Sequence, residues 1–197
     1  MVKYILFDAD GVLAVGKYVS HYLEKDYGIS HEVSGEFFHG IFLECIVGKK
    51  DLKKEITPYL KKWGWKKSVD DFVKYWHKVE HVVDDELIAY IQILRSRGFK
   101  CYVATNQEKY RLKYMLKDMS FENAFDGVFG SENLGHSKPD RNFFKKILRL
   151  LKIRDIKEVL FWDDSEENIL AAKEIGINAE HYKGYDDFKQ KMESYLN

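Results

Sequence analysis

Near its start the chain runs Val2-Lys3-Tyr4-Ile5-Leu6-Phe7 and is then halted by Asp8, Ala9, Asp10 and Gly11. A run this short, apolar and β-favouring reads as a strand covered on both faces, because a strand with one wet face would alternate. Such strands belong to parallel α/β sheets, which place their ligands beyond the carboxyl ends of the strands. Asp8 and Asp10 stand at that end, and Gly11 lets the backbone turn sharply there.

The second half of the chain has the matching pattern. From Asp84 onward helix and strand patterns alternate, which predicts right-handed crossovers in a doubly wound parallel sheet. A helix begun by Asp84 or Asp85 runs through Ile88, Ile91 and Leu94 to Gly98, which suits the left-handed position after a helix end. Lys100 to Thr105 is the second strand, Glu108 to Met119 a helix, Gly127 to Phe129 a third strand, and Arg141 to Leu151 a helix. Val159 to Trp162 is the fourth strand and also ends in two acids, Asp163 and Asp164. Ser165 caps a helix through Ile175, stopped by Gly176, and Ala179 to Tyr182 is a fifth, weaker strand.

The intervening residues read as helices without a strand. One pattern falls on Tyr22, Leu23, Tyr27 and Ile29, and a second runs through Phe37, Phe38, Ile41, Phe42, Cys45 and Ile46. A third helix extends from an Asp51 cap through Leu60, and a fourth from a Ser68 cap to about Lys78. The expected organisation is an α/β core from residues 1–15 and 83–197, with a small all-helical domain, residues 16–82, inserted into it.

At 197 residues there is room for a core plus such an insertion. Thirty-two Lys and Arg balance thirty-two Asp and Glu, so nothing global attracts nucleic acid or an anionic membrane, and no apolar run reaches spanning length. Cys45 and Cys101 lie far apart without Cys-x-x-Cys spacing, which argues against a disulfide framework or a thiolate zinc site and fits a reducing, cytoplasmic setting. A signal peptide would have to carry Asp8 and Asp10 in its apolar region, so none is expected. The expectation is a monomer with no nucleic-acid or membrane partner.

Asp8, Asp10, Thr105, Asn106, Asp163 and Asp164 each follow a predicted strand, so one edge of the sheet collects them. Crowded carboxylates repel: either their pKa values rise or a cation sits among them, and all-oxygen ligation selects a hard ion such as Mg²⁺. Lys138, restrained by Pro139, adds a fixed positive charge. Such a site can hold a dianionic oxyanion and attack it, as phosphoryl transfer requires.

With these residues in view the chain resembles the haloacid dehalogenase superfamily of phosphohydrolases. The first motif, Asp-x-Asp-Gly followed by Val or Thr, is met by Asp8-Ala9-Asp10-Gly11-Val12, and the second by Thr105 in Ala104-Thr105-Asn106. The third is met by Lys138 in Ser137-Lys138-Pro139-Asp140, and the fourth by Asp163-Asp164. The resemblance implies a Rossmann-like core, a helical cap between the first and second motifs, and Mg²⁺ as cofactor. It implies Asp8 as the nucleophile that becomes an aspartyl phosphate, and Asp10 as the acid for the leaving alcohol and then the base for water. Thr105, Asn106 and Lys138 would hold the phosphate. The metal would take Asp8, the main-chain carbonyl of Asp10, and Asp164, with Asp163 bound directly or through water. Some members carry Gly-Asp at the fourth motif and a later acid where this chain has Asn168, so the choice between Asp163 and Asp164 stays open. Sharing one metal requires the first and fourth strands to be neighbours. By position, the cap would hinge at Gly16 and at Val82 to Asp84. A helical lid of this kind goes with a small phosphorylated metabolite, such as a sugar phosphate, as substrate.

Other side chains are weaker candidates. None of the seven histidines shows metal-ligand spacing, but His136 stands two residues before Lys138 and is a candidate for the substrate pocket. Lys17, Tyr18 and His39 are candidates for the inner face of the cap, with ordinary helix packing as the alternative. Lys61 to Lys67 mixes bases with two tryptophans and reads as a solvated turn with buried rings rather than a nucleic-acid stacking patch. Two other functions stay open: a phosphomutase using the same Asp8 and Asp10, and a non-catalytic phosphate-binding or phospho-receiver module. Carbon–halogen hydrolysis is disfavoured, because it has no use for Asp10 as a leaving-group acid.

Overall fold

The apolar run at the start of the chain becomes the middle strand of a five-stranded parallel sheet. The structure, a computed structural model, describes residues 1–196. Strand β1 (Tyr4–Phe7) pairs on one side with β2 (Lys100–Thr105) and on the other with β4 (Val159–Asp163). β3 (Gly127–Gly130) and β5 (Asn178–His181) complete the order β3-β2-β1-β4-β5. Ile5, Leu6 and Phe7 have no exposed surface. Ile5 and Phe7 face one hydrophobic layer with Leu87, Ile91 and Phe188, and Leu6 faces the other with Phe143, Phe144 and Ile169. Each such side chain contributes about 1.5–3 kcal/mol on burial, which is why the run is apolar without alternation.

The register matters most for the site. Phe7 lies opposite Val103 on one side and Trp162 on the other, and the Asp8 N–H donates to the Trp162 carbonyl (2.8 Å). Asp8 and Asp163 are therefore level across adjacent strands, at the point where the order of the sheet reverses direction. The required adjacency of the first and fourth strands is present.

The crossover helices follow their caps. Asp84 accepts from the Leu87 N–H to begin α6 (Asp85–Ser96), and Glu108 accepts from Tyr110 and Arg111 to begin α7 (Lys109–Lys117). The short α8 (Phe121–Ala124) and α9 (Ser131–Leu134), and the final α12 (Tyr185–Met192), flank α10 (Arg141–Leu150) and α11 (Glu166–Glu174) in the chain. Ser165 holds the N-cap position of α11, but its side chain makes no cap bond, contrary to the sequence expectation. Asp163 reaches forward instead and accepts from the Ser165 N–H (2.8 Å) and the Asn168 amide (3.0 Å).

Between β1 and α6 come α1 (Val19–Tyr27), α2 (His31–Phe38), α3 (Phe42–Ile46), α4 (Leu52–Lys62) and α5 (Val69–Val79), packed around Leu23, Phe37, Ile56, Leu60 and Phe72. The single pattern read over residues 37–46 is two helices. The chain turns tightly at Gly40, where a Cβ would lie 2.6 Å from the Glu36 carbonyl oxygen. Asp51 and Ser68 cap α4 and α5 as expected, the latter in a reciprocal capping box with Asp71. Trp63 is buried after α4, and Trp65 packs against Tyr27 and Phe72. Where this helical segment leaves and rejoins the sheet layer, Val15 donates to the Val82 carbonyl (2.8 Å) and Asp84 to that of Leu13 (3.0 Å). Among the described residues no helix is long and apolar enough to cross a membrane.

Candidate active site

The ends of β1, β2 and β4 converge on Lys138. Its ammonium lies 2.7 Å from Asp8 Oδ1 and 2.6 Å from Asp163 Oδ2, and the lysine is only 4% exposed. Asn106 fixes it from behind: its Nδ2 donates to the Lys138 carbonyl (2.9 Å), and its Oδ1 accepts from the Lys138 N–H (2.8 Å). Asn106, expected among the phosphate-holding groups, is thus placed as a brace for Lys138, although it also borders the cavity. Thr105, the last residue of β2, is buried beside it and lines the same cavity.

The four aspartates have different surroundings. Asp8 Oδ1 also accepts from the Ala9 N–H (2.6 Å). Asp163 is fully buried, with one oxygen on Lys138 and the other on Ser165 and Asn168. Asp164 is exposed and reaches over Gly11, at φ +80°, where a Cβ would lie 2.1 Å from Asp164 Oδ2. Asp8, Asp163 and Asp164 each offer an oxygen within 4.8 Å of the others. The Asp10 carboxylate is outside that group: it accepts from Gln107 Nε2 (2.5 Å) and lies 3.9 Å from Arg111 Nη2.

Their protonation follows from these contacts. Burial pushes the Asp8 carboxyl up to about 8, against the pull of Lys138 and with a further push from Asp163. Asp10 is also held above the usual carboxylate range by burial, with Arg111 and Gln107 opposing. Burial works to discharge Lys138, but Asp8 and Asp163 override it and keep the ammonium charged. Asp164 is raised by partial burial and by Asp163. Three crowded oxygen donors, one raised to about 8, match a hard divalent cation in number, spacing and chemistry.

Three contributors were not read from the sequence. Gln107 follows Asn106 in the loop after β2, and Arg111 is a buried residue of α7. Glu80, beyond α5, accepts from the Val19 N–H (2.7 Å) and lies 3.4 Å from Arg111 Nη2. Arg111 also donates to the carbonyls of His77 (3.3 Å) and Glu80 (3.4 Å), tying α7 to the helical segment beside Asp10. No local pattern marks these residues, because their partners are 31 or more positions away.

A cavity of about 470 Å³ opens over the acids, walled by the sheet edge on one side and by α1, α2, α3 and α5 on the other. Tyr18 and His39 line it; burial, with Asp10 and Asp164 nearby, pushes the Tyr18 hydroxyl up to about 12, so it stays protonated. Lys17 and His136 do not line it. Lys17 is exposed and turns to His21 (3.4 Å), and His136 is drawn away to Asp140 (2.7 Å), the cap of α10.

The chain is similar to known phosphatases and to solved structures. It is 30% identical over 99 residues to the sesquiterpene phosphatase astK of Aspergillus oryzae, covering 50% of each protein. It is 26% identical over 119 residues to a phosphorylated carbohydrates phosphatase of Thermotoga maritima, covering 57% of this chain and 55% of that one. The chain thus spans about half the length of these curated relatives. The HAD family enzyme bt-2542 of Bacteroides thetaiotaomicron, as a magnesium complex, superposes with a TM-score of 0.80 at 26% identity, over 94% of this chain and 96% of that one. The same enzyme with magnesium and inorganic phosphate gives 0.79 at 24% identity, over 93% and 95%. The model of the haloacid dehalogenase-like hydrolases matches residues 2–176, which contain every motif of the site, and the chain belongs to that hydrolase family.

Proposed function

We propose that the protein is a Mg²⁺-dependent phosphatase that hydrolyses a small phosphate monoester through an aspartyl phosphate on Asp8. The observation that carries this is the division of the acids: Asp8 stands with Lys138, Asp163 and Asp164, while Asp10 is held apart by Gln107 and Arg111. The magnesium and phosphate bound by bt-2542 support the same reading.

The metal would be held by Asp8, the Asp10 main-chain carbonyl and Asp164. Asp163, with both oxygens engaged by the protein, would orient the set or join it through water. When bound, Mg²⁺ supplies the counter-charge that keeps Asp8 ionised and offsets the charge on the phosphoryl oxygens. An oxygen of Asp8 attacks phosphorus, and the bond to the ester oxygen breaks. Asp10, whose raised pKa suits a group that begins protonated, gives its proton to the departing alkoxide. The same carboxylate then takes a proton from water as the water attacks the aspartyl phosphate, which frees inorganic phosphate and restores Asp8. Lys138 and Thr105 hold the equatorial oxygens. Residues 16–82 act as a cap, hinged where Val15 meets Val82 and Leu13 meets Asp84. A single chain supplies all of these groups.

The test is turnover of p-nitrophenyl phosphate with and without Mg²⁺. Many equivalents of product with Mg²⁺, and loss of activity in Asp164→Ala through weakened Mg²⁺ binding, are expected. One equivalent or fewer per chain would indicate a phospho-receiver and refute the proposal. The names of the relatives include both a sesquiterpene and a carbohydrate phosphatase, so the identity of the leaving group has to be read from the cavity.

A further inference from the structure

The cavity wall opposite the phosphate-holding residues has a chemistry of its own. Phe38, Phe42 and Trp76 pack against one another with ring centroids 5.3 to 5.6 Å apart, and Leu43 and Ile46 extend the same surface. No lysine or arginine lines the cavity among the described residues. Three of the polar side chains on that wall are engaged. Ser34 Oγ donates to the Ser30 carbonyl (3.1 Å), and the Glu80 carboxylate is taken by Val19 and Arg111. His31 pairs with Glu24 (3.3 Å). The Tyr18 and Ser20 hydroxyls and the His39 ring are the groups left to a polar substrate on this wall, whereas Phe38, Phe42, Leu43 and Ile46, which make up most of it, offer a polyol no partner.

We propose that the substrates are phosphate monoesters with an apolar organic part, an alkyl or aryl group, rather than sugar phosphates or esters with a second anionic group. This rests on the phosphatase reading above and specifies its leaving group. A polyol pushed against the Phe38, Phe42 and Trp76 surface would lose water without gaining partners, at about tenfold or more in affinity per hydroxyl. A second phosphate or carboxylate would meet Glu80 and no free cation. An alkyl chain instead gains about fourfold per methylene that leaves water.

The experiment compares kcat/KM for n-alkyl phosphates from butyl to octyl with kcat/KM for glycerol phosphate and hexose 6-phosphates. The protein is used as full-length chain with Mg²⁺, and p-nitrophenyl phosphate serves as the reference. The expected result is a rise of roughly fourfold per methylene until the cavity is filled, with octyl phosphate exceeding the hexose phosphates by about 100-fold or more. Leu43, 53% exposed at the cavity, tests the wall without threatening the fold: Leu43→Ser should reduce octyl phosphate turnover more than butyl. If p-nitrophenyl phosphate is turned over while kcat/KM is flat with chain length, or hexose phosphates are preferred, this inference fails and the phosphatase reading stands. Equal losses for butyl and octyl phosphate in Leu43→Ser would also overturn it. If no ester is turned over, p-nitrophenyl phosphate included, both readings fall together.

Discussion

Substituting Gly11 by alanine separates the fold from the metal site. The backbone at Gly11 has φ +80°, and a side chain in that left-handed region costs about 1–2 kcal/mol. For a chain of this size that is roughly 2–8 °C of melting temperature. Sterics add a local effect: the new Cβ would lie 2.1 Å from Asp164 Oδ2 and 2.5 Å from its Cγ, against about 3.4 Å for ordinary contact. The exposed Asp164 carboxylate can yield more easily than the buried β1 turn, so it swings away from Asp8 and Asp163. Losing one donor of the set should weaken Mg²⁺ by at least the 10–100-fold typical of disturbing a group that supports a metal ligand. Isothermal titration with Mg²⁺, alongside thermal unfolding by circular dichroism, measures both effects. Gly28→Ala is the control: Gly28 has φ +69° and nothing within 4 Å of a built Cβ, so it incurs the backbone cost alone. A folded Gly11→Ala that binds Mg²⁺ as tightly as Gly28→Ala would remove Asp164 from the metal site.

Asp8→Asn should abolish turnover with no covalent intermediate, since an amide cannot displace the leaving group at a useful rate. Asp10→Asn should be slowed by about 10²–10⁴-fold, most for poor leaving groups, with an acyl phosphate on Asp8 visible by intact mass after acid quench of an aryl phosphate reaction; equal losses for good and poor leaving groups would contradict this division of roles. Asp51 tests acid stability: the Lys109 hydrogen bond, with those from the Lys54 N–H and the Tyr110 hydroxyl, holds its carboxyl down at about 2. A depressed carboxyl contributes stability above its unfolded value near 4 and loses it as pH falls through 2. Asp51→Ala should therefore lower the unfolding free energy from urea titration at pH 6 by up to about 2 kcal/mol, and narrow its difference between pH 6 and pH 2. A variant with an unchanged pH profile would show that the contact contributes nothing.

Strong local signals were legible in the sequence. Apolar strands halted by acids located β1 and β4, the expectation of one metal shared by Asp8 and Asp164 made those strands neighbours, and Asp51, Ser68 and Asp84 marked helix starts through their own side chains. The misreadings have local causes too. The 37–46 pattern keeps helical spacing across a turn, because the residues on both sides of Gly40 face one hydrophobic cluster. Ser165 has the right chemistry for a cap, but Asp163 reaches its N–H from the strand. The four-residue helices α8 and α9 are too short to show a period. Gln107, Arg111 and Glu80 gain their meaning only from contacts across the fold, and a buried arginine on a helix is indistinguishable in sequence from an exposed one. Asn106 was found by its place after β2, whereas its use as a brace depends on where Lys138 lies.

The two hydrogen bonds joining Val15 to Val82 and Asp84 to Leu13 have a bearing on how such a chain can diversify. To the sheet, everything between them is a loop whose ends are already closed. The entropy of closing a loop grows only with the logarithm of its length, about 0.6 kcal/mol per doubling. The insert can therefore lengthen, shorten or exchange the side chains of its inner wall at little expense to the strands that hold Asp8 and Lys138. On the proposed function, selectivity and chemistry would be separately heritable: drift in α2 and α3 would re-specify which alcohol is released, while the strand ends would keep the means of releasing it.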